Sequence, residues 1–290
     1  MVEQGYTIGF ANFDERNSFA VSLREGLEAA AAKHSNVTLI TRDNALELAR
    51  AKANVEEFVN LPVDLAMISH IDEREGGKLI VPLTRKTIPV ISVIHAIPMT
   101  TYVGLDTEQA GQVIGEDLAK WIQANWNGQV DKVLALTNMR AVNSIPQQIG
   151  AAIKQLLSQT QLDDKDVLYF DDGGLPEITS ERVRDIIQSW GEFHHIVVIA
   201  LGDHIALAAF EAIRALGREA DTLIGGMDGL DIAAEELNNP DSHLLYSLSF
   251  DNERFGERLL DMALGTLQGE KVPRVERVPF AYLRNPLHTP

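Results

Sequence analysis

No cysteine occurs among the 290 residues. That excludes disulfide bridges, thiolate metal sites and a cysteine nucleophile, and it fits any redox compartment. Basic residues are scarce: 25 Lys and Arg stand against 42 Asp and Glu, a formal charge of −17. With so small a basic footprint, neither nucleic acid nor an anionic membrane surface is expected as a partner, because neither meets enough cations to neutralise its phosphates. No window approaches the roughly 18–20 apolar residues that a membrane helix requires. The first residues lack the basic and apolar regions of a signal peptide. The chain is therefore expected to be either cytosolic or the remainder of an exported protein whose leader has been removed. Also missing are a Gly-x-Gly-x-x-Gly fingerprint, a P-loop and a Gly-x-Ser-x-Gly elbow, so no enzymatic activity and no cofactor are expected. Asp163-Asp164-Lys165-Asp166 and Asp171-Asp172 lack EF-hand spacing, and His194-His195 has no acidic ligand pattern near it in sequence, so no metal site is expected.

What is present is an ordinary globular composition, 45% hydrophobic and 23% charged, in a chain long enough for two domains. The most informative stretch runs from His194 to Gly229. Ile196 to Leu201 is a short, nearly all-apolar run rich in β-branched residues, as expected of a strand covered on both faces. Gly202-Asp203 interrupts it. Ala206, Ala209, Phe210, Ile213 and Leu216 then recur at helical spacing up to Gly217, and Thr222 to Gly225 begins a second buried strand that ends in Gly226-Met227-Asp228-Gly229. This is a β-α-β unit. Ligands of open parallel sheets sit beyond the carboxyl ends of the strands, which makes Asp203 and Asp228 candidates for contact.

The same rhythm fills the chain. Strands are expected at 6–11, 37–41, 64–69, 89–94, 102–106, 132–137, 166–170, 244–249 and 278–283, with helices at 19–34, 45–61, 76–86, 107–126, 146–159, 180–190 and 252–268. Ser69-His70 and His95 fall at strand ends, facing the same side. Strands alternating with helices imply parallel, doubly wound sheets, and a restart near residue 106 implies two similar domains.

Five segments carry a family likeness: Phe19-Ala20-Val21-Ser22-Leu23-Arg24-Glu25-Gly26, Gly104-Leu105-Asp106, Gly202-Asp203 with Ala206-Leu207-Ala208, Gly225-Gly226-Met227-Asp228-Gly229, and Gly269-Glu270-Lys271-Val272-Pro273. In that order and spacing the chain resembles the type I periplasmic binding protein superfamily. That group includes the ribose- and galactose-binding proteins of ABC importers and the effector domains of LacI-type regulators. The resemblance implies an α/β fold of two Rossmann-like lobes joined by three crossovers. One lobe would hold residues 1–105 plus 250–279 and the other 106–249 plus 280–290, with a ligand between them and a hinge that closes on it. It implies a solute-binding protein that takes a sugar or polyol and hands it to a membrane permease, working as a monomer in the periplasm or outside the cell. The alternative is a ligand-sensing effector domain of a LacI-type regulator, expected to dimerise, or of a signalling receptor; no helix-turn-helix precedes Tyr6.

Carried over residue by residue, the resemblance implies ligand contact by Asn17, Phe19, Asp106, Asp203 and Asp228, with Phe13 compensating for an aromatic replaced by Ala20. The chain departs from the sugar binders in several places. Ile94-His95 stands where Asp-Arg is common, Gln147 near the position of an arginine, Gly202 in place of an asparagine, and Phe250 in place of a glutamine. His95, Gln147 and Phe250 are accordingly read as ligand-binding. The exchange removes arginine and amide donors and adds an aromatic, which points away from ribose and galactose toward a less hydroxylated, partly apolar or cationic ligand. The carboxylates suit a cation or a polyol.

Overall fold

The computed structural model describes residues 4–138, 144–239 and 242–284. The strands are β1 (Tyr6–Asn12), β2 (Val37–Asp43), β3 (Leu65–Ile68), β4 (Val90–Val93), β5 (Thr101–Leu105), β6 (Lys132–Thr137), β7 (Val167–Asp171), β8 (Ile196–Ile199), β9 (Thr222–Asp228), β10 (Leu244–Phe250), β11 (Val275–Val278) and β12 (Phe280–Arg284). The helices are α1 (Ser18–Ala32), α2 (Leu48–Asn60), α3 (Glu73–Leu79), α4 (Val81–Arg85), α5 (Thr107–Trp126), α6 (Ser144–Gln159), α7 (Pro176–Ser189), α8 (Asp203–Arg214), α9 (Asp231–Leu237) and α10 (Asn252–Leu267).

Residues 4–106 and 250–279 form one compact unit, and 107–138, 144–239, 242–249 and 280–284 form the other. Each unit is built on a six-stranded sheet, in the order β2-β1-β3-β4-β5-β11 in the first and β7-β6-β8-β9-β10-β12 in the second. The neighbours from β2 to β11 pair in parallel, as do those from β7 to β10. In both sheets the strand order reverses beside the first strand, β1 or β6, and a doubly wound sheet opens its ligand crevice at that point.

Apolar patterning explains the layers. Leu65, Ala66, Met67 and Ile68 are fully buried, as are Ile196, Val197 and Val198. Such runs need cover on both faces. Phe19, Leu23, Leu27 and Ala30 form the buried stripe of α1, three and four residues apart. In the second unit Phe210 and Ile213 of α8 and Val183 and Ile187 of α7 pack against Leu134, Ile196, Val198 and Ile224. Burying each such side chain contributes roughly 1.5–3 kcal/mol. Helices α1 and α10 cross so closely that any Cβ at Gly256 would collide with the backbone of Gly26.

Four local expectations are corrected. The helix expected from Ala45 starts at Leu48, because Ala45 and Leu46 adopt positive φ values of 49° and 57°. The expected helix 76–86 is two short helices, with Pro82 in the first turn of α4, where a missing N–H is tolerated. The terminal run 278–283 is divided between two strands, broken at Pro279, one in each sheet. Helix α9, which follows Asp228 and Gly229, is additional. Among the described residues no helix is long and apolar enough to cross a membrane.

Candidate functional site

In the first unit three strand ends bring the polar groups together. Asn12 closes β1 and is fully buried: its Oδ1 accepts the Phe13 N–H at 3.0 Å, and its Nδ2 donates to Glu15 Oε1 at 2.7 Å and to the Ala20 carbonyl at 2.9 Å. Phe13 is thereby fixed. It meets His95 edge to face, with ring centroids 6.0 Å apart and an interplanar angle of 82°.

His95 follows β4 through a strained residue. Ile94 has φ +64°, a left-handed conformation that a β-branched side chain rarely adopts. Two bonds hold it there: its N–H donates to the Val103 carbonyl, and its own carbonyl accepts the Tyr102 hydroxyl, each at 3.0 Å. The Tyr102 ring lies over Gly104, and a Cβ at that position would strike the phenol. Strain retained this way clusters at functional sites. The His95 imidazole is 6% exposed, and removal from water, reinforced by His70, lowers its pKa to about 4. His70, two residues beyond β3, is 2% exposed; burial lowers its pKa too, against the pull of Asp72 and Glu75. Both imidazoles are neutral at pH 7.

Other expected residues of this unit have internal partners. Asn17 caps α1, its Oδ1 accepting the Ala20 N–H at 3.0 Å. Phe19 is buried in the first turn of that helix. Asp106 pairs with Arg277 at 2.6 Å, and Arg277 lies on β11 in register with Gly104.

In the second unit β8 and β9 deliver Asp203 and Asp228. Asp203 begins α8 and is fully buried. Its Oδ1 accepts the Ser247 hydroxyl at 2.6 Å, and its Oδ2 accepts the Leu230 N–H at 2.8 Å. Ser247 Oγ in turn accepts the Gly229 N–H at 2.9 Å. Burial outweighs these bonds and raises the Asp203 pKa to about 6. Asp228 is half-buried with φ +115°, and its Oδ2 lies 3.4 Å from the Asp203 N–H. Loss of water, and then the neighbouring Asp203 carboxylate, hold its pKa well above the usual carboxylate range. Gly202 leaves room for it, since a Cβ there would stand 3.1 Å from Asp228 Oδ2.

Gln147 is exposed on α6, whereas the next residue, Gln148, is buried, with its amide 3.5 Å from the sulfur of Met227. Phe250 ends β10, and its side chain lies outside the described residues. His194 and His195 each face a carboxylate that their sequence neighbourhood did not show: Asp221 at 2.9 Å and Asp131 at 3.3 Å.

The structure thus brings Phe13 to His95 and Asp203 to Asp228. Sequence reasoning passed over Asn12 and Gln148 altogether. It placed His70 at a strand end without assigning it to the site, although its position relative to β3 parallels that of His95 relative to β4. Topologically, β3 and β4 of the first sheet correspond to β8 and β9 of the second. Each unit therefore presents two ionisable groups on equivalent strand ends, all four shifted toward their neutral forms.

Residues 8–271 match the family described as periplasmic binding protein domain. The chain belongs to that family. It is 24% identical over 280 residues to the ribose import binding protein RbsB of Bacillus subtilis, covering 95% of this chain and 86% of that protein. Among solved structures, it resembles an ABC transporter periplasmic solute-binding protein from Actinobacillus succinogenes with bound D-allose (TM-score 0.83, 18% identity, 98% of this chain and 99% of that one). It also resembles an ABC transporter solute-binding protein from Bacillus halodurans with bound myo-inositol (TM-score 0.82, 18% identity, 98% and 96%). These likenesses establish the fold, and the type I architecture expected from the sequence is the one found.

Proposed function

We propose that this chain is the solute-binding component of an ABC importer. It takes an uncharged sugar or polyol, without catalysis, and presents it to a membrane permease from the periplasm or the cell exterior. The observation that carries the reading is the neutral bias of the strand-end groups. His70 and His95 are uncharged at pH 7, and Asp228 is held toward its protonated form. Neutral imidazoles and carboxyls each offer a donor and an acceptor, as a hydroxyl does. They offer little to a fixed charge. Phe13 beside His95 supplies an apolar face for the C–H side of a ring, and membership of a family of solute-binding proteins agrees with this chemistry.

Ligand contact is assigned to Phe13, His95 and Asp228, with Phe19, Gln147 and Phe250 as further candidates. Asn17, Asp106 and Asp203 are given positioning roles through the partners described above.

A thermal-shift screen followed by calorimetry tests the reading, using D-ribose, D-allose, D-fucose, myo-inositol and glycerol against amino acids, polyamines and nucleotides. A ligand that binds only the native state raises the midpoint with concentration. A shift confined to neutral hydroxylated compounds is expected. A shift from a charged class alone would overturn it.

A further inference from the structure

His70 is a buried polar side chain of the first unit that the fold itself leaves unused among the described residues. Neither ring nitrogen has a hydrogen-bond partner among the described residues, and the hydroxyl of the preceding Ser69 has none either. The imidazole is 2% exposed. Leaving a buried donor or acceptor unpaired is costly, and native folds rarely do so without a reason outside the fold.

The surroundings show that this is not loose packing. The Ser69 N–H donates to the Ala11 carbonyl at 2.9 Å, and the Ser69 carbonyl accepts from Asn44 Nδ2 at 2.9 Å. Asn44 is itself fully buried: its N–H donates to the Asn12 carbonyl at 2.8 Å and its Oδ1 accepts from Asn54 Nδ2 at 2.9 Å. Just downstream, Asp72 caps α3 by accepting from the N–H groups of Arg74 and Glu75. The backbone that carries His70 is thus clamped on both sides by a satisfied network, and among the described residues of this network the imidazole and the Ser69 hydroxyl are left over. That is the pattern of a group preorganised for a ligand.

We propose that His70 is a ligand-contacting, specificity-setting residue, which with Ser69 and His95 hydrogen-bonds the hydroxyls of an uncharged polyhydroxylated ligand. One ring nitrogen accepts from a ligand hydroxyl while the other donates to a second oxygen, a pairing that a neutral imidazole can make and a cation cannot. Sites built to bond a hydroxyl reject analogues lacking it more strongly than apolar pockets reject extra bulk, so His70 discriminates among deoxy analogues.

This inference rests on the sugar or polyol reading, and the test separates the two. Calorimetric affinities of the wild type for D-ribose, D-allose and myo-inositol are compared with those of His70→Leu and His70→Gln, alongside the Tm of each unliganded protein. His70→Leu is expected to lose at least tenfold in affinity while its Tm stays level or rises, because an unpaired buried polar group has been removed. His70→Gln, which retains a donor and an acceptor, is expected to recover part of the loss. Affinity of His70→Leu within twofold of wild type overturns the assignment and leaves the functional reading standing. So does a fall in Tm for both variants that accompanies their loss of affinity, which would assign His70 to the fold. If the wild type binds no neutral hydroxylated compound of the thermal-shift screen and responds to a charged class alone, the functional reading fails, and the His70 assignment fails with it.

Discussion

The hydroxyl of Tyr102 donates to the carbonyl of Ile94 at 3.0 Å and so holds a β-branched residue in left-handed backbone immediately before His95. Strain of this kind costs of order 1–3 kcal/mol and persists only where the surroundings enforce it. The Tyr102–Gly104 pair on β5 is part of that enforcement, which gives the glycine of the Gly104-Leu105-Asp106 segment a packing reason. Tyr102→Phe removes the bond while preserving the ring. We expect a stability loss of about 1 kcal/mol in urea unfolding and a larger relative loss in ligand affinity, as Ile94 relaxes and turns His95 away. Unchanged affinity would show that His95 is positioned without this contact.

Acid should act on the first unit through its histidines. His95 has a folded pKa of about 4 against an ordinary value of 6.5, so between those limits the unfolded chain binds a proton that the folded one refuses. Stability is then fully present above pH 6.5 and is lost as pH falls toward 4, by roughly 3 kcal/mol for this group. His70 shifts in the same direction and adds to the loss. Replacing His95 by Leu should flatten the fall in urea midpoint over that window. An equally steep fall in the variant would place the acid sensitivity elsewhere.

Much of this architecture was legible because the strands are buried on both faces. Ile196 to Ile199 and Lys132 to Thr137 announce themselves by composition, and the helix stripes do so by spacing. The two-domain reading followed from the restart of the strand–helix rhythm near residue 106, and the family resemblance implied the two lobes; two of the glycines that carry it, Gly104 and Gly225, lie where a Cβ would strike a tyrosine ring. What escaped was information held in partners distant along the chain. The end of the chain reads as one strand because its residues are alike, yet Pro279 divides it between two sheets. His194 and His195 show no acid nearby in sequence, because Asp221 and Asp131 reach them through the fold. Ile94 looks like the last residue of a strand, and nothing in its identity reveals φ +64°. Gln147 was named for its position, and a one-residue difference in helix register buried Gln148 instead.

Asp203 should give the second unit the opposite response to acid. Its folded pKa is raised from 3.8 to about 6, chiefly by burial. Its contribution to stability is therefore complete below pH 3.8 and is lost as pH rises through about 6, again by roughly 3 kcal/mol. Ser247→Ala withdraws one of the bonds that favour the carboxylate, so it should push this pKa higher still. The measurement is the carboxyl titration by NMR. An unshifted or lowered value would mean that the Ser247 hydroxyl does not govern the charge on Asp203.

Asp228 combines an unfavourable backbone with a carboxyl held out of water, and the two can be separated by substitution. At φ +115° only glycine is at ease. The carboxyl is further burdened by loss of water and by Asp203 beside it. A residue kept there for the fold would be stabilising. One kept for binding would be a liability in the unliganded protein. Asp228→Gly removes the side chain and the backbone penalty together, although it also adds freedom to the unfolded chain, so a net gain of no more than about 1 kcal/mol is expected. Asp228→Ala removes the side chain but keeps the strain, and it should be the less stable of the two by up to about 1–2 kcal/mol. Both should abolish measurable binding of whichever compound the screen identifies, with far-ultraviolet circular dichroism unchanged. Retained affinity in Asp228→Gly would remove this residue from the site, whereas lost affinity with undiminished stability is what a ligand-contacting carboxyl requires.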